Sequence, residues 1–352
     1  NDQEQARLTV NNSGAYIVWE DERNGNYPEI DIYLQYLDNN GNRYYTSDLA
    51  VSTSGDYQFS PLVRQTDLGV FVLWGDKRDG SIGIYSQVIN SSQSITLDEN
   101  GTLLYYGIDG FGINPGIVTL DETQSLIFWE DKRSGSFGSY AYGFNIDKDY
   151  YSNNNVNGQI LCNDPNLSSP AAVSIDNNIF MGYDNNSLGD VVQYYTLIDE
   201  NLNSSSYQSI NQDAVLQENA KIVLGEDGYV YYVFNDFPDY IDADILVQKF
   251  DSNGSSVWDN PITVVSDINT YTDEIIVEVL PMPDEGCFIS FDYRAGSTKR
   301  VYAVAIDGQG NYADGWDGPK LLSEVSSKQY AESLSRTNQG YFISWRDYRN
   351  SN

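Results

Sequence analysis

The stretch Ile17–Gly25 reads IVWEDERNG, Val72–Gly80 reads VLWGDKRDG and Ile127–Gly135 reads IFWEDKRSG. A near-copy that returns every 55 residues restricts the fold more than any other feature of the chain. A unit repeated at this period is one supersecondary module that buries its apolar surface against the next copy. Aligned on the aromatic residue that ends each apolar run, the copies are anchored at Trp19, Trp74, Trp129, Tyr183, Phe234, Phe291 and Trp345, in steps of 55, 55, 54, 51, 57 and 54 residues.

Within a copy the order of segments is constant. A first run such as SPLVRQ from Ser60 or NPGIVTL from Asn114 precedes the aromatic run, written AYIVW, VFVLW, LIFW, IFMGY, VYYVF, CFISF and YFISW in turn. A polar turn follows, then a third run (IYLQYLD from Ile32, IYSQVIN from Ile84, ILVQKFD from Ile245, VYAVAID from Val301) and a fourth such as VWDNPITVV from Val257 or GWDGPKLLS from Gly315. Gly, Asn, Asp and Pro punctuate the runs and no 3.6-residue periodicity intervenes, so each copy reads as four short strands. The second run is apolar at nearly every position instead of alternating, which requires cover on both faces of its sheet. In an all-β chain built of four-stranded repeats, radially stacked sheets meet that requirement.

The expectation is one β-propeller domain over residues 1–352, with blades at roughly 5–56, 57–112, 113–167, 168–217, 218–272, 273–327 and 328–352. The last blade holds two strands, ending in SWRDYRNSN. Seven blades are therefore expected, the seventh completed by another strand pair from this protein or a partner, with a six-bladed ring plus a hairpin as the alternative; an open ring would leave long sheet edges bare.

The 29 Tyr residues and 14% aromatic content supply core and strand formers. Fifty-one acidic against 19 basic residues give a formal charge of −32, which repels nucleic-acid backbones and anionic lipid surfaces. The chain has no histidine, which removes Ser-His-Asp hydrolases, Cys-His proteases and most zinc hydrolases together. No run is apolar for the ~18 residues of a membrane span, and the sequence does not open at Asn1 on a charged-then-apolar leader; a chain opening on Asn reads as processed or cropped from something longer. Cys162 and Cys287 make no metal pair and fall in non-adjacent blades, so both are expected as free, buried thiols.

The recurrent motif comprises Trp19, Asp21 and Arg23; Trp74, Asp76 and Arg78; Trp129, Asp131 and Arg133; and Trp345, Asp347 and Arg349. A constellation present in four copies reads as structural: Trp packs between blades, Asp accepts from turn amides or from the Arg guanidinium, and Gly takes a left-handed turn position. DNNG at Asp38, DENG at Asp98, DSNG at Asp251 and DGQG at Asp307 read as hairpin turns after the third strand. The fifth copy departs from the pattern with NDFPDYIDADI, which places Asp236, Asp239, Asp242 and Asp244 within nine residues. Such a cluster is relieved either by solvation or by a hard cation such as calcium, and no other cofactor is implied.

The pattern W-x-D-x-R-x-G, then I-Y-x-Q, then D-x-x-G-x-x-x-W resembles the propeller repeats of secreted and cell-surface proteins from Bacteroidetes-like bacteria, often exported by type IX secretion, and the strand order is similar to that of TolB-type propellers. The resemblance spans nearly the whole chain and is weakest at YDNNSLG from Tyr183, where Trp and Arg are both lost. It implies an extracellular, multi-domain parent and carries no shared catalytic residues. The leading functional expectation is a non-catalytic binding or scaffold module whose loops meet glycan or protein at the cell surface, with Tyr27, Tyr105, Tyr106, Tyr150 and Tyr151 as aromatic candidates. Two alternatives stand beside it: a structural subunit of a larger surface assembly that takes a donated strand, and a propeller-type glycoside hydrolase or lyase. For the latter, paired carboxylates are plentiful but the S-x-D-x-G-x-T-W box of sialidases is absent.

Overall fold

The computed structural model describes residues 2–25, 29–66, 69–108, 116–119, 124–131, 138–145, 159–162, 164, 166–186, 190–199, 203–211, 215–238, 242–266, 273–295, 297–337 and 340–349. Contacts divide the chain into two compact units, Asn1–Pro165 and Asn166–Asn352.

The first unit contains three four-stranded sheets. Sheet one comprises β1 (Gln3–Asn11), β2 (Gly14–Asp21), β3 (Asp31–Asp38) and β4 (Leu49–Ser52); sheet two comprises β5 (Gln58–Thr66), β6 (Gly69–Asp76), β7 (Ile82–Asn90) and β8 (Thr102–Ile108); sheet three comprises β9 (Gly116–Thr119), β10 (Gln124–Asp131), β11 (Gly138–Asn145) and β12 (Gln159–Cys162). In the second unit, sheet four holds β13 (Leu167–Ile175), β14 (Asn178–Asn185), β15 (Val192–Ile198) and β16 (Gln208–Ser209); sheet five holds β17 (Gln217–Leu224), β18 (Val230–Asp236), β19 (Asp244–Phe250) and β20 (Ile262–Val265); sheet six holds β21 (Asp273–Pro281), β22 (Cys287–Ala295), β23 (Thr298–Ile306) and β24 (Lys320–Leu321). A two-stranded hairpin, β25 (Gln329–Thr337) and β26 (Gly340–Asp347), follows.

Each four-stranded sheet is an antiparallel meander in sequence order. All seven anchor aromatics lie in second strands, so the 55-residue step is the distance from one blade to the next.

The apolar runs are dry on both sides because alternate residues serve different neighbours. Val70, Val72 and Trp74 of β6 pack with Val18, Ile32 and Leu34 of sheet one, whereas Phe71 and Leu73 pack with Ile117, Ile127 and Trp129 of sheet three. In the second unit, Tyr232 and Phe234 of β18 face Phe180 and Tyr195 of sheet four, while Tyr231 and Val233 face Ile276, Ile289 and Phe291 of sheet six. Side chains of a strand alternate between faces, so an aromatic every second residue suits a sheet enclosed between two others. Burial follows the same logic: β6 is buried along its whole length, whereas burial alternates along β2 and β26. Phe342 of β26 is 65% exposed, and among the described residues no strand pairs with the free edge of that strand.

Every first strand except β9 carries a bulge at one place, between Glu4 and Arg7, Phe59 and Leu62, Ser168 and Ala171, Glu218 and Lys221, Ile276 and Glu278, and Ala331 and Ser333. Gln5, Ser60, Ser169 and Asn219, at the bulges, have positive φ. A bulge breaks the ladder and leaves an amide that needs another acceptor. At the other end of the hairpin, Gly69 and Gly286 lie so close to third-strand carbonyls that a β-carbon would collide with them, and both have positive φ.

Candidate functional site

The recurrent motif is a closed hydrogen-bond circuit. In sheet one the Trp19 indole donates to Asp21 at 2.8 Å and the Arg23 amide donates to the same carboxylate at 2.8 Å. The Arg23 guanidinium bridges Asp21 to Asp48, 2.9 Å away, and stacks over Tyr33. Sheet two repeats it: Trp74 donates to Asp76 at 3.1 Å, the Arg78 amide at 2.9 Å, and the Arg78 guanidinium pairs with Asp76 above the Tyr85 ring. In the hairpin, Asp347 accepts from the amide and guanidinium of Arg349 and from Ser327 and Gln329. Trp129 is fully buried and Asp131 ends β10, while Arg133 lies outside the described residues. Glutamines at the start of the first strands join the circuit, Gln3 reaching Asp21 and Gln217 reaching Asp236. These contacts lock the turn that leaves the second strand.

The glutamine of I-Y-x-Q is equally internal. Gln87 accepts from the amides of Val88 and Leu97 and donates to the Asp98 carbonyl, and Gln35 does the same with Tyr36, Tyr45 and the Tyr45 carbonyl. Both hold the segment that approaches the fourth strand.

Sequence reasoning missed a second set of acceptors, one residue after the anchor aromatic. Glu20 accepts the Ser60 amide at 2.8 Å, Asn235 accepts the Ile276 amide at 3.2 Å, and Asp292 accepts the Ala331 amide at 2.8 Å. Each reaches from a second strand to the bulged first strand of the next sheet, supplying the acceptor that the bulge removed.

The carboxylates around these circuits titrate in two directions. Burial raises the pKa values of Glu20, Asp184, Asp236 and Asp292. Burial also opposes the charge of Asp21 and Asp48, but hydrogen bonds from Arg23, with Trp19 and Gln35 respectively, outweigh it and lower both values. Arg349 and Ser327 hold Asp347 well below the ordinary range. The raised group is relieved of charge as pH falls toward its folded-state values, whereas the stability held by the lowered group disappears only below the unfolded-state value of about 4. The urea midpoint is therefore expected to rise as pH falls from neutrality through the raised carboxylates and to fall again below about 4; a midpoint that declines steadily from neutrality would contradict this ordering.

The remaining sequence candidates that fall in the described residues lie at several places. Asp236 and Asp244 are cross-strand partners, Asp236 accepts the Gln217 amide at 2.9 Å, and Asp242 precedes β19. Asp239 lies outside the described residues. Among the described residues no three His, Cys, Asp or Glu side chains gather into a group able to hold an ion. Asp38, Asp251 and Asp307 cap the turns after β3, β19 and β23, each accepting two amides. DENG at Asp98 does not occupy that place: the turn after β7 is Asn90-Ser91-Ser92-Gln93, capped by the Asn90 side chain, and Asp98 lies in the approach to β8. Asparagine offers the same carbonyl-type acceptor as aspartate, so the turn persists without the acid. Cys162 and Cys287 are buried thiols that are not joined in a disulfide. Tyr105 stacks on Trp129, the Tyr106 hydroxyl donates to the Asp79 carbonyl, and Tyr27, Tyr150 and Tyr151 lie outside the described residues.

A cleft of about 340 Å³ in the first unit is lined by Asn11, Ser13, Tyr16, Tyr36, Tyr44, Gln65, Gly69, Ser91 and Gln93. The turn entering β2, the middle of β3 and the turns beside β6 and β7 supply its walls. Tyr16 and Tyr36 pack at 4.5 Å between ring centroids, and Tyr44 stands edge-on to Tyr36 at 6.3 Å. Gln93 donates to the Tyr16 hydroxyl at 2.6 Å, and its carbonyl accepts from Tyr45 at 2.9 Å. Burial raises the Tyr36 pKa, so that hydroxyl stays neutral. Aromatic faces and amide groups without a formal charge are binding chemistry.

No family model and no curated protein matches the sequence. Among solved structures, the β-propeller domain of the Trilobed protease from Pyrococcus furiosus, described as having an open velcro topology, matches with a TM-score of 0.54 and 8% identity over 99% of both chains. The fold is a β-propeller. A polysaccharide lyase, an ulvan lyase, matches the propeller with a TM-score of 0.59 and 10% identity over 93% of this chain and 85% of that one. The same lyase bound to -[GlcA(1-4)Rha3S]- gives a TM-score of 0.58. The propeller thus shares its architecture with a protease domain and a carbohydrate-active enzyme, two roles one fold supports.

Proposed function

We propose that the chain is a non-catalytic extracellular recognition module that binds glycan at the tyrosine-lined cleft of its first unit. The observation that carries this reading is the lining itself: three tyrosines, three amide side chains and two serines, with no carboxylate, lysine or arginine among them. Glycoside hydrolysis needs two carboxyl groups placed across the scissile bond, and general acid–base work needs a group that titrates near the operating pH. The cleft offers neither. It offers instead flat apolar faces for the carbon skeleton of a sugar and neutral donors and acceptors for its hydroxyls. The ulvan lyase likeness supports the fold and leaves the chemistry to the residues present.

The test sets binding against turnover. The chain is titrated calorimetrically with a panel of soluble plant, algal and bacterial polysaccharides, and the same mixtures are assayed for new reducing ends and for unsaturated sugar ends. Saturable binding without product is expected. Product formed in proportion to protein would establish an enzyme in place of a binding module, and silence across the whole panel would remove glycan as the ligand.

A further inference from the structure

Repetition gives an internal control: positions that obey the repeat serve the fold, and positions that break it need another reason. Three breaks meet at the cleft. The first is in the turn after the third strand, where the fourth residue donates its amide back to the first. That residue is glycine with positive φ in three sheets, Gly41, Gly254 and Gly310, but in sheet two it is Gln93, at φ 61°. A left-handed backbone costs a non-glycine residue about 1 kcal/mol or more and persists where the side chain has work to do. Gln93 puts its side chain into the cleft, against the Tyr16 hydroxyl.

The second and third breaks are a pair joined by one hydrogen bond. The Tyr44 amide donates to the Tyr36 carbonyl, as Thr96 does to Val88, Ser205 to Leu197, Val257 to Lys249 and Ala313 to Ala305. Only the first of these five sheets places an aromatic at either position. Tyr36 is 8% exposed, and its hydroxyl has no hydrogen-bond partner among the described residues. A hydroxyl that lines an open cleft with no partner in the protein is available to water or to a ligand there. Tyr44, 58% exposed, stands at the rim.

Resting on the recognition reading above, we infer that the cleft selects an uncharged sugar, which stacks on Tyr44 and is hydrogen-bonded by the Tyr36 hydroxyl and the Gln93 amide. Uronate- or sulfate-bearing sugars find no cation in the lining and approach a chain of formal charge −32, so the field opposes them before contact and nothing compensates afterwards.

The experiment uses the full chain, neutral hexose and pentose oligosaccharides, and oligosaccharides bearing uronate or sulfate, each at low and high salt. Tyr36→Phe removes one oxygen that makes no hydrogen bond among the described residues, Gln93→Gly restores the glycine turn of sheets one, five and six, and Tyr44→Ala trims a rim side chain, so all three are expected to fold; melting curves verify that. Neutral oligosaccharides are expected to bind, and each variant to weaken them about tenfold, the loss of roughly one hydrogen bond or stacking contact. Unchanged affinity in all three variants would overturn the site while leaving glycan recognition standing. Tighter binding of the acidic probes would overturn the ligand class. Absence of binding by either set would sink the recognition reading as well.

Discussion

Asp76→Ala is expected to lower the unfolding free energy by about 3–5 kcal/mol, while Asp347→Ala, the same change in the same motif, is expected to cost only a small fraction of that. The difference comes from solvent. The Asp76 side chain is fully buried and Arg78 is 17% exposed, whereas Arg349 is 51% exposed. Removing Asp76 strips partners from the buried Trp74 indole, from the Arg78 amide and from the Arg78 guanidinium. What remains for the guanidinium is the Asn100 carbonyl, Ser52 and the Tyr85 face, none of which neutralises its charge. At the hairpin, water replaces the lost partner of Arg349. Urea midpoints of the two variants, measured side by side, decide the matter; equal losses would mean that the motif does not act through a buried charge.

Trp74→Ala is expected to cost about 3–5 kcal/mol by opening a cavity, against roughly 1 kcal/mol for Trp345→Ala. Trp74 is wholly inaccessible and sits in the core between sheets one and two, with Tyr85 stacked at 6.3 Å between centroids. Gly101, at φ 88°, packs so tightly against the indole that a β-carbon there would strike it, so little nearby is free to collapse into the space. Trp345 is half-buried on a hairpin with one uncovered side. Because Trp74 and Asp76 share a hydrogen bond, the double variant should lose less than the sum of the two single losses. Additive losses would show that the indole contributes through packing alone.

The repeat was legible in detail. The anchor aromatics lie in second strands, and in sheets one and two the Trp, Asp and Arg of the motif make contacts expected from their chemistry: an acceptor beside an indole, a turn amide and a guanidinium. The residues one place further on were not legible. Glu20 and Asp292 are two of 51 acids, and nothing marks them until the bulges at Ser60 and beside Ala331 expose amides that need acceptors. DENG misled because its composition matches the true turns, whereas sheet two makes that turn with Asn90.

The cleft was hidden for a related reason. Tyr36 lies in the third strand of one blade and Gln93 in a turn of the next, 57 positions on. The signal was present in outline, since Tyr36, Tyr44 and Gln93 each break the repeat, but three breaks become one site only when two sheets pack.

From the order of its residues alone, this chain is committed to four-stranded antiparallel blades at a 55-residue step, because strand pairing, turn chemistry and side-chain alternation act over a few neighbouring residues. Which carboxylates are buried, which amides lose their partners and which tyrosines share a concavity depend on contacts between one sheet and the next. Those contacts join residues some 40 to 80 positions apart, such as Glu20 with Ser60 and Tyr16 with Gln93, and the water they exclude sets the energetic weight of each group.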